Sequence, residues 1–271
     1  MKYLITGARG TVGAALVRHL DALGHETVAW DRTRVPVNNY HAMEDYITEV
    51  RPDAIFLLAV ASKPTGAIDN EGWVVNVHWP SEVAWICRQR QIPFVFSSTA
   101  MVFTNDAHGP FTPESRPDAT EGYGGDKRQA EERLFHQAPE QCRVARLGWQ
   151  IGSAPGGNNM LSFFEENMRQ HGVIRASTRW LPACSFLEDT ADGLMQVLAQ
   201  PPGLYHINSN LEQNFYDIAC ALKAHHGADW KIEPTEDFVY DQRLFDGRIE
   251  VPILLERLPE LAQRRVGPAC G

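Results

Sequence analysis

Three features of the chain predict an α/β fold built on a doubly wound parallel sheet. Short β-type runs alternate with amphipathic stretches through the first half, the pattern of repeated βαβ units. The run Ala54-Ile55-Phe56-Leu57-Leu58-Ala59-Val60-Ala61 is apolar throughout, as a strand covered on both faces must be. A glycine-rich turn, Thr6-Gly7-Ala8-Arg9-Gly10-Thr11-Val12-Gly13, joins the first strand-like run to a stretch with helical spacing.

Strands are expected near 2–6, 26–31, 54–60, 92–97 and 142–147, and helices near 12–23, 40–50, 70–90 and 123–137. Right-handed crossovers bring the carboxyl ends of these strands to one edge, so ligand-binding residues should follow strands. After Tyr3-Leu4-Ile5, Gly7 can take a conformation closed to residues with a β-carbon, Gly10 lets a diphosphate approach the main chain, and Gly13 lets the helix lie close to the strand. The unpaired N–H groups of the new helix, at Thr11 and Val12, then face phosphates. The second strand, Glu26-Thr27-Val28-Ala29-Trp30, ends at Asp31, at the distance expected of the acid that binds an adenosine ribose. A Rossmann-type dinucleotide site follows, formed by Gly7, Arg9, Gly10, Thr11, Val12, Gly13, Asp31 and Arg32. Small residues at Ala59, Val60 and Ala61 would let the cofactor lie against the third strand. Asp31 suits the ribose of NAD, whereas Arg9 and Arg32 could neutralise the extra phosphate of NADP, so the cofactor is NAD(P).

The fourth strand is followed by three hydroxyls, Ser97-Ser98-Thr99, at the substrate edge. Downstream, Tyr123-Gly124-Gly125-Asp126-Lys127 places a phenol and an ammonium four residues apart, hence on one helix face. A free tyrosine titrates near ~10, and bringing it toward neutrality takes roughly 4 kcal/mol of phenolate stabilisation. Lys127 and an oxidised nicotinamide could supply it, so that Tyr123 exchanges a proton with a carbonyl or hydroxyl while the cofactor exchanges hydride.

Past residue 150 the texture changes. A loop at 152–159, rich in glycine and asparagine, precedes a helix near 159–170, the segment from Arg175 to Pro182, a helix at 187–198, a strand at 203–207, and helices near 214–225 and 251–262. Residues 1–150 therefore read as the NAD(P)-binding Rossmann domain. Residues 151–271 read as mainly a small C-terminal substrate-binding part, with some segments returning to the first domain.

The formal charge of -9 argues against a nucleic-acid binder. Cys87, Cys142, Cys184, Cys220 and Cys270 are far apart, which suits reduced thiols in a cytoplasmic protein. No stretch is apolar for long enough to span a bilayer, and no charged and apolar leader opens the chain, so no membrane association is expected. The ten histidines are scattered, and no metal site is expected.

The order Thr-Gly-x-x-Gly-x-x-Gly, Ser97-Ser98-Thr99 and Tyr123-x-x-x-Lys127 resembles the extended short-chain dehydrogenase/reductase superfamily. Within it, Arg51-Pro52-Asp53-Ala54-Ile55-Phe56, Val75-Asn76-Val77, Arg146-Leu147-Gly148-Trp149-Gln150-Ile151-Gly152 and the stretch from Pro182 to Asp189 resemble the dTDP-4-dehydrorhamnose reductase family along most of the chain. The resemblance implies an NAD(P)H-dependent oxidoreductase that reduces a keto group on a nucleotide-linked deoxysugar or a related small molecule. It makes Thr99 the hydroxyl that holds the substrate oxygen, Tyr123 the acid/base, and Lys127 the group that binds the nicotinamide ribose and lowers the tyrosine pKa. It also lays Trp149 against the substrate and offers, by analogy, a homodimer.

Where the family has Asp-Tyr-Val-Phe-Asp-Gly after the threonine, this chain has Ala100-Met101-Val102-Phe103-Thr104-Asn105. Met101 replaces an aromatic hydroxyl in the substrate site, and the Asp-Glu pair of nucleotide-sugar dehydratases is missing, which argues against dehydration. A nucleotide diphosphate needs cations, for which Arg179 and Arg243 are the candidates. Two other functions use the same features: an NAD-dependent nucleotide-sugar epimerase, and a non-catalytic dinucleotide-binding subunit. Against the second, a pure binding protein gains nothing from Thr99, Tyr123 and Lys127 together.

Overall fold

In a computed structural model, which describes residues 1–61, 66 and 69–264, the first half alternates as its patterning requires. It runs β1 (Lys2–Thr6), α1 (Thr11–Ala22), β2 (Glu26–Ala29), α2 (Tyr40–Val50), β3 (Ala54–Leu57), α3 (Glu71–Trp73), a π-turn (Val74–His78), α4 (Trp79–Arg90), β4 (Phe94–Thr99), α5 (Gly122–Gln137) and β5 (Cys142–Leu147). The second half adds β6 (Trp149–Ile151), α6 (Met160–His171), β7 (Ile174–Ser177), β8 (Trp180–Leu181), β9 (Cys184–Phe186), α7 (Leu187–Ala199), β10 (Gly203–Ile207), α8 (Phe215–His226), β11 (Ile232–Thr235), β12 (Tyr240–Asp241), α9 (Leu254–Arg257) and α10 (Glu260–Arg264).

The central sheet has six strands in the order β10-β5-β4-β3-β1-β2, all parallel. Alternate residues of each strand serve opposite faces. Leu4, Ile55, Phe94, Phe96 and Val144 meet Met43, Ile47, Val83 and Leu134 of α2, α4 and α5. Tyr3, Ile5, Phe56, Val95 and Ala145 meet Leu16, Leu20, Leu194 and Val197 of α1 and α7. The strand order reverses between β1 and β3, and a crevice at that switch point is where such sheets bind ligands. A separate apolar cluster, with Phe164, Phe215, Ile218 and Trp230, holds α6, α8 and the short paired strands β6·β9 and β7·β11 together and takes in Trp180 of β8, whereas Tyr240 of β12, which pairs with β8, packs with Phe103 and Phe111.

Several element ends differ from expectation, each for a local reason. β3 stops at Leu57 rather than 60, because its partner β1 stops at the opposite residue, Thr6, and turns into the glycine loop. β2 stops at Ala29 rather than 31. β4 runs on to Thr99, paired with Leu147, so the three hydroxyls lie inside the strand and not after it. The helix expected over 70–90 is interrupted at Val74–His78, where Pro80 has no N–H to return to Asn76. The helix expected over 251–262 is two short ones, because Pro259 disfavours helical geometry at Leu258, whose φ and ψ are -127° and 78°.

Cys87, Cys142 and Cys184 are buried free thiols, each pushed up in pKa by burial; Cys270 lies outside the described residues. No described helix is long and apolar enough to cross a membrane. Among the described residues no group of three or more His, Cys, Asp or Glu could hold a metal ion.

Candidate active site

One cavity of about 1360 Å³ runs from the switch point to the aromatic C-terminal part. Its first end is backbone. Gly7 has φ of +71°, and a β-carbon there would come within 2.8 Å of the Ala59 nitrogen. A β-carbon on Gly13 would stand 2.1 Å from the Gly7 carbonyl oxygen, so α1 can start this close to β1 only with glycine. Gly10 occupies the helix N-cap with no side-chain cap, which leaves the first-turn N–H groups open to an anion. The Thr6 hydroxyl accepts from the N–H groups of Leu58 and Ala59 at 3.0 and 3.1 Å, tying the end of β3 to the same turn.

Arg9, Thr11, Val12, Asp31, Arg32, Ala59 and Val60 also line the cavity. Asp31 accepts from the Thr33 hydroxyl and N–H, and these hydrogen bonds hold its carboxyl below the usual range. Ala61 is not in the wall; Asn76 from the π-turn grips its backbone, accepting from its N–H at 2.9 Å and donating to its carbonyl at 3.3 Å. From the far side, the Asn158 N–H donates to the Thr11 hydroxyl at 2.9 Å, so the loop at 152–159 rests on the start of α1.

Thr99 and Tyr123 line the middle of the cavity. The Thr99 oxygen accepts from the Met101 N–H at 3.1 Å, capping a short turn at Ala100–Val102; its own proton is left for another acceptor. Gly124 lets α5 start against that turn, since a β-carbon there would stand 2.0 Å from the Met101 carbonyl. Lys127 lies beneath the wall rather than in it. Its ammonium is fully buried, has no hydrogen-bond partner, and stands 4.0 Å from the centre of the Phe96 ring and 6.0 Å from that of Tyr123.

The protein's own groups do not lower the Tyr123 pKa; the expected lowering is by Lys127 acting together with an oxidised nicotinamide. Burial pushes the phenol up to about 12, and it also pulls Lys127 down to about 7 against the carboxylates of Glu131 and Asp126. Desolvation by burial is the cause of the phenol's rise. The residues fit a dinucleotide: the glycine-lined helix start suits a diphosphate, and the unpartnered Lys127 ammonium suits a sugar hydroxyl.

The second end is made of side chains. Met101, 52% exposed, faces a wall containing Trp149, Phe163, Trp180, Phe238, Tyr240 and Gln242. Trp149 meets Phe163 at 5.2 Å and Trp180 at 5.9 Å between ring centres, and Trp180 meets Phe238 at 5.3 Å. The two cations expected here are elsewhere. Arg179 is exposed and outside the wall, while Arg243 is held by Asp241 at 2.8 and 2.7 Å. Among the described residues, Arg9 and Arg32 are the basic side chains of the wall, both at the glycine-loop end.

Phe163, Trp180, Phe238 and Tyr240 were not expected from the sequence. Phe163 carried a usable signal, an aromatic ring beside the buried position Phe164 of an amphipathic helix, and it is left 39% exposed. The others had none: Trp180 and Tyr240 sit in β8 and β12, which are two residues long and pair only in the folded chain, and Phe238 lies in the loop before β12.

Residues 1–243 match the family described as RmlD substrate binding domain. Among curated proteins, the chain is 22% identical to the spore coat polysaccharide biosynthesis protein SpsK of Bacillus subtilis, over 85% of this chain and 81% of that one. It is 26% identical to a dTDP-4-dehydrorhamnose reductase of Streptomyces griseus, over 86% and 79%. Its fold matches the crystal structure of a dTDP-4-dehydrorhamnose reductase from Bacillus anthracis in complex with NADP, with a TM-score of 0.80 at 18% identity, covering 97% of this chain and 99% of the other.

Proposed function

The chain belongs to the RmlD substrate binding domain family, and from that membership we propose that it is an NAD(P)H-dependent reductase of a keto group on a nucleotide-linked deoxysugar or a related small molecule. The observation that carries the reading is the meeting, in one cavity, of the glycine-lined start of α1 with Thr99 and Tyr123. In this reading residues 1–150 hold the cofactor, and the part beyond 151 mainly walls the substrate.

Bound NAD(P)H supplies the hydride. The first-turn N–H groups of α1 would hold its diphosphate, Asp31 with Arg9 and Arg32 would meet the adenosine ribose, and Lys127, beneath the wall, would donate to the nicotinamide ribose. Thr99, its oxygen already engaged by Met101 N–H, donates its proton to the substrate carbonyl oxygen and fixes it. Tyr123 would give its phenolic proton to that oxygen, which with the hydride supplied by the cofactor completes the alcohol. A phenol held protonated by burial is in the state this step needs. Trp149 and Met101 flank the sugar. By analogy with related reductases the protein works in the cytoplasm as a homodimer.

The test is NADPH oxidation with dTDP-4-dehydrorhamnose and with uncharged ketones. Substrate-dependent oxidation that Tyr123→Phe abolishes, with NADPH binding retained, supports the reading. Full turnover in Tyr123→Phe removes it.

A further inference from the structure

Helix α5 carries Tyr123, Lys127 and Glu131 at four-residue spacing, along one face. Glu131 is 4% exposed and accepts two hydrogen bonds from Arg146 of β5, at 3.0 Å from Nε and 2.6 Å from Nη2. Arg146 is 2% exposed, its Nη1 has no partner, and its guanidinium carbon stands 5.1 Å from the centre of the Phe103 ring. Neither residue lines the cavity. A buried ion pair is costly to desolvate and is often no more stabilising than apolar side chains of the same size. Stability alone is a weak reason for it here.

Its neighbour one turn away is the unpartnered Lys127 ammonium. Burial works against that cation; the Phe96 ring face and the carboxylates of Glu131 and Asp126 work for it. The other charged or titratable groups on the elements around α5 are few. From β5 come Arg146, Arg143 and the Cys142 thiol, and Cys142 senses Glu131; β4 brings none. The π-turn brings Asn76, whose amide donates to Asp126 at 3.3 Å, and His78, which lies 4.0 Å from Glu82 of α4. α3 brings Glu71, which accepts from the Gly66 N–H, and α4 also brings Arg88 and Arg90, both exposed, and the buried Cys87 thiol, which senses Cys142. Only Glu131 and Asp126 act directly on Lys127, and only Glu131 is itself clamped by a buried cation.

We propose that the Glu131–Arg146 pair is a positioning device that sets the charge of Lys127: the carboxylate keeps the buried ammonium cationic, and the guanidinium limits how strongly it does so. The proposal rests on Lys127 being the ribose-binding cation of the reading above. A cationic Lys127 can donate to the ribose and favour the phenolate; a neutral amine does both less well. Loss of Glu131 leaves burial opposed by Asp126 alone. Loss of Arg146 leaves Glu131 undivided beside Lys127.

The test needs neither substrate nor cofactor. The full chain is labelled with 13C-lysine, and the Lys127 signal, one of five, is assigned by its loss in Lys127→Met and followed against pH by NMR. The wild-type midpoint is expected near 7, the value to which burial lowers Lys127. Glu131→Gln should lower it by about one pH unit, a tenfold change in proton affinity, and Arg146→Gln should raise it. Should Glu131→Gln not fold, Glu131→Gln/Arg146→Met removes both charges together and is expected to lower the midpoint as well. Unchanged midpoints, or shifts of Glu131→Gln and Arg146→Gln in the same direction, overturn the proposal. NADPH affinity and turnover that survive Lys127→Met would instead remove the role of Lys127, a failure the titration does not share.

Discussion

The two ends of the cavity are built from different material. The glycine-loop end comes from one contiguous turn, Gly7 to Gly13, whose working groups are main-chain N–H groups and whose nearby charges, Arg9, Asp31 and Arg32, are solvated. The far end gathers Met101, Trp149, Phe163, Trp180, Phe238 and Tyr240 from separate segments into a wall of rings. An anion can be held by local geometry, because a helix start presents its dipole and free N–H groups wherever it occurs. A sugar or other neutral body is held by shape, which only the packed chain can supply. Between the two, Thr99 and Tyr123 are polar groups set at the seam.

That contrast can be broken or sharpened by substitution. The largest effect should come from the seam: Tyr123→Phe is expected to lower kcat by ~10²–10⁴-fold with NADPH affinity unchanged, measured by steady-state kinetics and fluorescence titration. Next is Gly13→Ala, which forces a β-carbon onto the Gly7 carbonyl. It should destabilise the fold by about 1–3 kcal/mol and weaken NADPH binding, read by denaturant unfolding and titration. Trp149→Ala, at the aromatic end, should raise the substrate KM by about tenfold or more while leaving the NADPH KM unaltered; equal effects on both would erase the division between the ends.

Asp31→Asn removes the acid near Arg9 and Arg32 and should move preference toward NADPH by roughly tenfold, seen in the ratio of kcat/KM for the two cofactors. Smallest is Arg179→Ala, which leaves the wall intact and should change the substrate KM by less than about twofold.

Legibility in the sequence follows the same division. The glycine spacing, the position of Asp31 and the four-residue step from Tyr123 to Lys127 are short-range, and the structure brings the first two and Tyr123 to one cavity. Lys127 was legible as a residue on the same face but not as a buried, unpartnered group. One turn along the helix, Glu131 is clamped by Arg146 from β5, fifteen residues on, and no local pattern announces that pair. Arg179 and Arg243 were chosen for their charge, but charge says nothing about direction. Arg243 turns to Asp241, two residues away, because a bidentate carboxylate is a better partner than water.

The alternation of the first half and its glycine turn were enough to determine the parallel sheet and the edge at which the glycine turn opens, because strand period, helix period and glycine's backbone freedom act over a few residues. Which rings line the far end, how deeply Lys127 lies, and which way the phenol's acidity moves were decided only by tertiary structure. Those properties depend on burial and on groups distant along the chain, and neither exists until the layers have packed.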